Sequence, residues 1–344
     1  MQAAYMLDRK ISVGMLPDPL PQAGEVVVRT VSCGICASDQ HVLHHCERIV
    51  EWSREYQGPF AIDLARPTVL GHEFVGEIVD YGPGTERRLP VGTLVTSAPF
   101  VLSQSAGIAA VGLATDFPGG FGEYMVLTEA LLRPIPASLG IDLAAMSEPV
   151  SVGLHYVNAA RLDSNDVPLV IGCGAIGLAM ILALKMKGAA PIIAADFSPA
   201  RRELALKMGA DVVVDPAAMS PYAVPAELGG RIPTIIFECV GVPGVLDGVV
   251  RSAAPRSRIV VAGWCLEIDH VFTACAHVKG LNVQFGGGPS PLDFDDAVRA
   301  LGDGVIDPSA WIGERIGLSG VAAALEAIAQ PNNPIRTIVD PRIA

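Results

Sequence analysis

Residues Val167 to Leu184 (VPLVIGCGAIGLAMILAL) run for eighteen positions without a charge, until Lys185 closes them. A run of that length has two physical solutions: a membrane span, or a buried strand and helix joined by a turn. Glycines at 172, 174 and 177, with Pro168 near the start, split it into a short β-type stretch and a helical one, which favours the second. The turn Gly172-Cys173-Gly174-Ala175-Ile176-Gly177 has the glycine spacing of a dinucleotide site when a strand precedes it and a helix follows. Gly172 permits the tight turn, Gly174 lets a pyrophosphate approach the backbone, and Gly177 allows close helix packing; N–H groups at the helix start, Ala175 and Ile176 among them, bind the phosphates. Asp196 ends the next strand candidate, 22 residues after Gly174, where a carboxylate accepts from ribose hydroxyls and repels a 2′-phosphate. NAD is thereby favoured over NADP, although Arg201 and Arg202 lie close by.

The surrounding pattern agrees with a nucleotide-binding sheet. From about Pro168 to Gln284, apolar strand candidates fall at Leu169–Ile171, Ile192–Ala195, Val212–Val214, Thr234–Phe237, Ile259–Ala262 and Leu281–Gln284. Helical patterns such as Pro199 to Met208 and Val245 to Ala253 alternate with them, which implies α/β architecture with a parallel, doubly wound sheet. The first 150 residues read instead as β-rich, with Glu25 to Val31, Glu73 to Val79 and Gly92 to Ser97 as short runs punctuated by Gly and Pro. The last sixty or so residues carry helical stretches near Asp293 to Leu301 and at Val321 to Ala329, and are too few for a large core of their own. A length of 344 residues suits this division into 1–150, 151–286 and a return to the first domain over 287–344.

Composition narrows the function. Lys plus Arg total 24 against 36 Asp plus Glu, a net charge of −12, so no basic face is available to nucleic acid. Charged residues make up only 17% and apolar ones 51%, which implies extensive burial or subunit contact. Seven cysteines, an odd number without a repeating framework, suit reduced thiols in the cytoplasm. Met1 to Val13 carries Asp8, Arg9 and Lys10 and lacks the apolar core of an export signal. Neither nucleic acid nor membrane is an expected partner.

A second constellation lies in the β-rich part. Cys36 within Cys33-Gly34-Ile35-Cys36-Ala37-Ser38-Asp39-Gln40-His41, then Gly71-His72-Glu73, then Ser147-Glu148-Pro149 supply the thiolate, imidazole and carboxylate that zinc accepts. On spacing alone, Cys33 and Cys36 could equally form a redox couple or half a zinc knuckle, and His72 could be a core histidine.

Together with Gly119-Gly120-Phe121-Gly122-Glu123-Tyr124, Ser151-Val152-Gly153 and the glycine turn, these segments stand in the order found in zinc-dependent medium-chain alcohol dehydrogenases, which the chain resembles over nearly its whole length. The likeness is to the polyol and threonine dehydrogenase branch, in which Glu-Pro replaces a ligand cysteine. The resemblance implies a GroES-like catalytic domain interrupted by a Rossmann domain, with the active site in the cleft between them. It implies that Cys36 and His72 bind one catalytic zinc, with Glu148 as third ligand ranked ahead of Glu73. Asp39 becomes the carboxylate that orients the zinc histidine, and Ser38 and His41 the proton relay. Arg201 matches a cation near the adenosine ribose, Val240 the strand end beside the adenine, Trp264 a position near the nicotinamide, and Arg336 an arginine that reaches the pyrophosphate. The implied reaction is hydride transfer between NAD(H) and an alcohol or ketone, in a homodimer or homotetramer.

The chain departs from the family in two places. Ala98 to Pro118 has no cysteine, so no structural zinc is expected, and the small, apolar loop Ser103 to Leu113 is read as a subunit contact. Cys46 to Gln57 (CERIVEWSREYQ) is extra and helix-compatible, with Ile49, Trp52 and Tyr56 on one face, either a lid over the substrate or a surface decoration. With Trp264, Phe100, Phe117 and Trp52 as candidate lining and no evident basic anchor, the pocket suits a neutral secondary alcohol or ketone with an apolar, cyclic or aromatic body. The competing readings are a zinc-independent quinone or enoyl reductase of the same superfamily, and a non-catalytic dinucleotide-binding protein.

Overall fold

Glu25–Gly34 is buried at nine of its ten positions, as befits a strand with neighbours on both edges and apolar cover on both faces. The structure, a computed structural model, describes residues 1–103, 107–223, 230–328, 330 and 335–343. The chain divides into two units: Met1–Glu148 with Ala297–Gly304 and Trp311–Ala344, and Pro149–Asp296 with Val305–Ala310.

The first unit holds a seven-stranded sheet in the order Ile312–Ile316, Arg336–Val339, Glu25–Gly34, Glu73–Tyr81, Leu94–Ser97 and Leu132–Pro134, with Tyr124–Thr128 also paired to Glu25–Gly34. All its pairings are antiparallel except that between Ile312–Ile316 and Arg336–Val339. The central strand runs three residues past the expected Val31, because Ser32, Cys33 and Gly34 stay paired to Val75, Phe74 and Glu73. On its other edge Gly34 faces Ile338 and Cys33 faces Val339. This register brings Glu73 and the start of the last strand to the same end of the sheet.

From Gly34 the chain turns through Cys36 into a twenty-residue helix, Ala37–Tyr56, with non-helical dihedrals at His45. The extra segment Cys46 to Gln57 is thus a continuation of this helix, ended by Gln57 in the left-handed conformation at φ 54°. Its buried side is Cys46, Ile49 and Ser53, at helical spacing. The expected apolar face is therefore corrected: Trp52 is 42% and Tyr56 65% exposed, and Trp52 packs on Tyr56 and Phe60. The cysteine-free loop opens with an antiparallel pair, Phe100–Ser103 and Gly107–Ala110; residues 104–106 lie outside the described set.

The second unit carries six parallel strands in the order Val212–Val214, Ile193–Ala195, Pro168–Ile171, Ile235–Glu238, Arg258–Val261 and Asn282–Phe285. In chain order this is 3-2-1-4-5-6, a doubly wound sheet with its switch point beside Pro168–Ile171. Leu169, Ile193, Ile236 and Ile259 are buried in its core with Val249 and Val250 of the helix Val245–Ser252. Helix Ala175–Met186 is buried from Gly177 through Leu184, which accounts for the uncharged run without a membrane. No helix of the described residues is long and apolar enough to cross one. Helix Pro199–Met208 starts after a Ser198 cap and stops at Gly209 with φ 113°. Helix Pro291–Gly302 contains the stretch expected at Asp293 to Leu301, and Val321–Ala327 most of the last one; Ala329 lies outside the described residues.

Candidate metal and dinucleotide sites

Cys36, His72 and Glu73 present ligand atoms within 4.8 Å of one another. Their residual exposures are 9%, 7% and 0%, so three polar side chains converge where little water reaches. Sulfur, imidazole and carboxylate suit zinc in kind and in separation.

Asp39, fully buried, assembles this group. Its Oδ2 accepts the Cys36 N–H at 2.9 Å and its Oδ1 accepts the Gly71 N–H at 3.2 Å, so one carboxylate ties the turn bearing Cys36 to the strand entry bearing His72. Asp39 Oδ1 also lies 3.3 Å from His72 Nδ1, while His72 Nε2 lies 3.2 Å from Ser38 Oγ. One ring nitrogen is thereby oriented by a carboxylate and the other turned toward Cys36 and Ser38, the arrangement a zinc-binding histidine uses. Burial alone would lower the His72 imidazole; Asp39 and Cys36 outweigh it and hold the ring well above its ordinary value. Cys33 takes no part: its sulfur packs where side chains at Gly71 and Gly120 would collide with it, and burial pushes its thiol well up.

Arg336, expected at the pyrophosphate, lies in the same unit as Cys36 and His72. This side chain, 3% exposed, donates through Nε and Nη2 to both oxygens of Glu73 at 2.7 Å each, and Nη2 lies 3.6 Å from Cys36 Sγ. This guanidinium thus lies at the metal cluster, paired with Glu73. Burial works against its charge, and Glu73, Cys36 and Glu148 more than restore it. Glu73, not Glu148, completes the close trio, yet both its oxygens are engaged by Arg336. Burial pushes the Glu148 carboxyl up to about 7, with His72 and Arg336 opposing and Glu73 and Asp39 adding to the rise. Either carboxylate therefore remains a candidate third ligand. His41, one helical turn beyond Ser38, is half-buried, and burial with His45 and His44 lowers its imidazole.

The glycine turn of the second unit has the geometry its spacing implies. Gly172 has φ 89°, and a Cβ on Gly177 would lie 1.9 Å from the Gly172 carbonyl oxygen. Nothing lies within 4 Å of a Cβ on Gly174, the residue that caps helix Ala175–Met186, so the backbone there is open to a ligand. Asp196 follows the neighbouring strand and accepts N–H groups from Cys173 and Ser198, both at 2.8 Å. Arg202 donates to the Asp196 and Phe197 carbonyls and pairs with Asp215, which holds it in the strand end, whereas Arg201 keeps a buried Nε with no hydrogen bond. Glu238, which the sequence reading did not single out, is 2% exposed and accepts the N–H groups of Val240 and Gly241 through Oε1. A carboxylate closing an apolar strand just before Val-Gly was the available signal. It fixes the turn carrying Val240, and Gly241 in turn packs against the backbone of Gly263 and Trp264.

Comparison with known proteins bears on both sites. The model of the zinc-binding dehydrogenase family matches residues 175–303, and that of the alcohol dehydrogenase GroES-like domain residues 22–137. The (R,R)-butanediol dehydrogenase of Bacillus subtilis (strain 168) is 33% identical over 273 residues, covering 76% of this chain and 77% of its own. The chain belongs to the zinc-type medium-chain alcohol dehydrogenases. The dehydrogenase also matches the crystal structure of the RspB alcohol dehydrogenase from E. coli CFT073 complexed with NADH, at a TM-score of 0.83, 26% identity and 99% coverage of both chains. A zinc-binding dehydrogenase from Sinorhizobium meliloti 1021 bound to NADP gives a TM-score of 0.81, 25% identity and the same coverage. As a member of this family, the dehydrogenase transfers hydride between NAD(H) and an alcohol or ketone.

Proposed function

We propose that one zinc ion is held by Cys36, His72 and a carboxylate, Glu148 or Glu73, and that the substrate is a neutral secondary alcohol or its ketone. The convergence of Cys36, His72 and Glu73 within 4.8 Å carries the metal assignment. The neutral substrate is supported by Arg336: this cation of the cluster is already matched by Glu73, which leaves it no charge for a substrate carboxylate or phosphate. When bound, zinc supplies a Lewis acid that makes a substrate hydroxyl easier to ionise. Asp39 orients His72, and Arg336 holds both oxygens of Glu73. Ser38 Oγ, 3.2 Å from His72 Nε2, is in reach of a hydroxyl held at the cluster and passes its proton toward His41, whose imidazole is lowered by burial and by His45 and His44.

We assign catalysis to residues 1–150 with 287–344, and NAD binding to 151–286, through Gly172, Gly174, Ala175, Ile176, Gly177, Asp196, Arg201, Val240 and Trp264. A homodimer or homotetramer is supported by the strand Asn282–Phe285 at the edge of its sheet, with Phe285 70%, Val278 85% and Leu292 74% exposed around it. Seven free cysteines support a cytoplasmic location.

The test is an NAD-linked absorbance screen over alcohols, ketones and activated alkenes, with metal analysis of the wild type and of Cys36→Ser. Oxidation of neutral secondary alcohols, with zinc and rate lost together in Cys36→Ser, is the expected result. Alkene reduction that persists without metal would replace it with the zinc-independent reductase, and NADH binding without any turnover with the non-catalytic reading.

A further inference from the structure

His155, in the helix Ser147–Ala159, has both ring nitrogens against groups that only accept. Nδ1 lies 3.0 Å from Asp293 Oδ2, and Nε2 lies 3.0 Å from the carbonyl oxygen of Gly286. A neutral imidazole has one N–H and one lone pair, so it can satisfy only one of these contacts; in the other it sets lone pair against lone pair. The ring is held from both sides. Asp293 is itself held as a carboxylate, 7% exposed: burial works against its charge, but the Ser290 hydroxyl and N–H, at 2.7 and 3.0 Å, and the Asn158 amide, at 2.9 Å, keep it below its ordinary value. The other titratable groups nearby are Tyr156, in edge contact with His155 at 5.5 Å, and Cys239 beyond it; burial raises both, so neither competes for the charge.

The contacts fasten both ends of one short segment. Gly286 follows the last parallel strand, Asn282–Phe285, and Ser290 precedes helix Pro291–Gly302. Between them Gly287 has φ 77° and Gly288 has open space where a Cβ would stand, so these residues have no side chains with which to anchor themselves. Gly286 is pressed so closely on Tyr156 that a Cβ would fall 2.0 Å from its ring. The segment leaves the sheet at its carboxyl edge, the edge that binds dinucleotides. With Asp196 after the second strand taking the adenosine ribose, the nicotinamide half falls over the fourth to sixth strands, which lead into Val240, Trp264 and Gly286.

We propose that His155 is a positioning residue, held between Asp293 and the Gly286 carbonyl, and that it fixes Gly286 to Ser290 for the nicotinamide half of the cofactor. The proposal rests on the dinucleotide reading of the glycine turn. It separates the two jobs of the sheet's carboxyl edge: backbone N–H groups after the first strand take the pyrophosphate, and a side-chain clamp after the sixth holds a glycine-rich segment still.

Two measurements test it on the full-length enzyme. In ¹⁵N spectra of histidine-labelled protein, with His155→Asn to assign the signal, a His155 ring N–H that exchanges slowly with water is expected, as for a hydrogen bond that seldom opens. In NADH titrations, His155→Asn and the shape-conserving Asp293→Asn are each expected to bind about tenfold more weakly, the loss of one charge-assisted hydrogen bond. Their KM for NAD should rise more than kcat falls, with zinc content unchanged. A His155 ring N–H that exchanges as fast as an exposed histidine's, while wild-type protein binds NADH, overturns the clamp. Folded variants that bind NADH as tightly as wild type overturn its role in cofactor binding. Wild-type protein that binds no NADH overturns the dinucleotide reading beneath both.

Discussion

Arg336 and Glu73 stand 263 positions apart in sequence and meet as a two-pronged ion pair, each Glu73 oxygen 2.7 Å from a guanidinium nitrogen. The sheet register makes this possible, since Gly34 lies opposite Glu73 on one edge and Ile338 on the other. Gly34 is also small of necessity: a Cβ there would come 2.4 Å from Glu73 Oε2. The carboxylate is thus confined between backbone and guanidinium beside the Cys36 sulfur.

Arg336→Met leaves the Glu73 charge buried without a partner, which is expected to destabilise the fold by about 3–5 kcal/mol. Glu73→Gln combined with Arg336→Met removes both charges and should recover much of that loss. Denaturant unfolding of the two single variants and the double variant measures the coupling; strictly additive effects would show that the pair does not act as a unit.

Asp39→Asn keeps the shape of the side chain but removes the charge that faces His72 and the Cys36 N–H. Zinc affinity is expected to fall by about 10- to 100-fold, the usual result of losing a carboxylate behind a metal-binding histidine. Competition with a chromogenic chelator reads this directly, and activity in excess zinc should return toward wild type.

The sheet of the second unit was legible in the sequence because its four inner strands are buried at nearly every position, so each of them reads as a short apolar run. All six candidates fall within a residue or two of the observed strands. Cys36, His72, Glu73 and Asp39 were legible as donor types at recognisable positions. Their mutual geometry was not, because it is set by register between strands far apart in the chain. Arg336 shows the limit: its residue type suited a phosphate equally well, and only the pairing of Arg336–Val339 with the central strand reveals that its charge is used on Glu73. Glu238 escaped notice for a related reason, since its partners are backbone N–H groups, and His155 because its partners are the Gly286 carbonyl, which carries no residue identity, and an Asp293 that is 138 positions away.

Gly177→Ala tests the turn after the first strand of the parallel sheet. The added methyl would sit 1.9 Å from the Gly172 carbonyl oxygen, so strand and helix must move apart. Destabilisation of about 1–3 kcal/mol is expected from the overpacking, together with at least tenfold weaker NADH binding. Gly174→Ala, whose Cβ meets no protein atom within 4 Å, should leave thermal stability nearly unchanged and lower NADH affinity alone. Calorimetry and NADH fluorescence on the pair separate packing from phosphate access; equal effects of the two variants on stability would contradict this division.

Acid sensitivity is expected from the charges that hold the C-terminal segment. Asp340, 4% exposed, accepts from Arg315 and Arg342, and Arg315 also reaches Asp142, which takes a hydrogen bond from Ser32 of the central strand. Burial raises the Asp340 carboxyl, but Arg342 and Arg315 outweigh it and hold it below its ordinary value. Asp166, beside Arg258 and Thr234, is lowered in the same sense. A carboxylate whose value is lower folded than unfolded contributes stability that is fully present above the unfolded value, about 3.9, and is lost as pH falls through the folded one. The melting temperature should therefore decline below about pH 4. Asp340→Asn should be less stable than wild type near neutrality by about 1–2 kcal/mol, and the gap should close on acidification because wild type loses the same interaction. Thermal melts of both proteins between neutrality and the acid limb decide the matter, and a gap that widens as pH falls would contradict the assignment of this stability to an ionised Asp340.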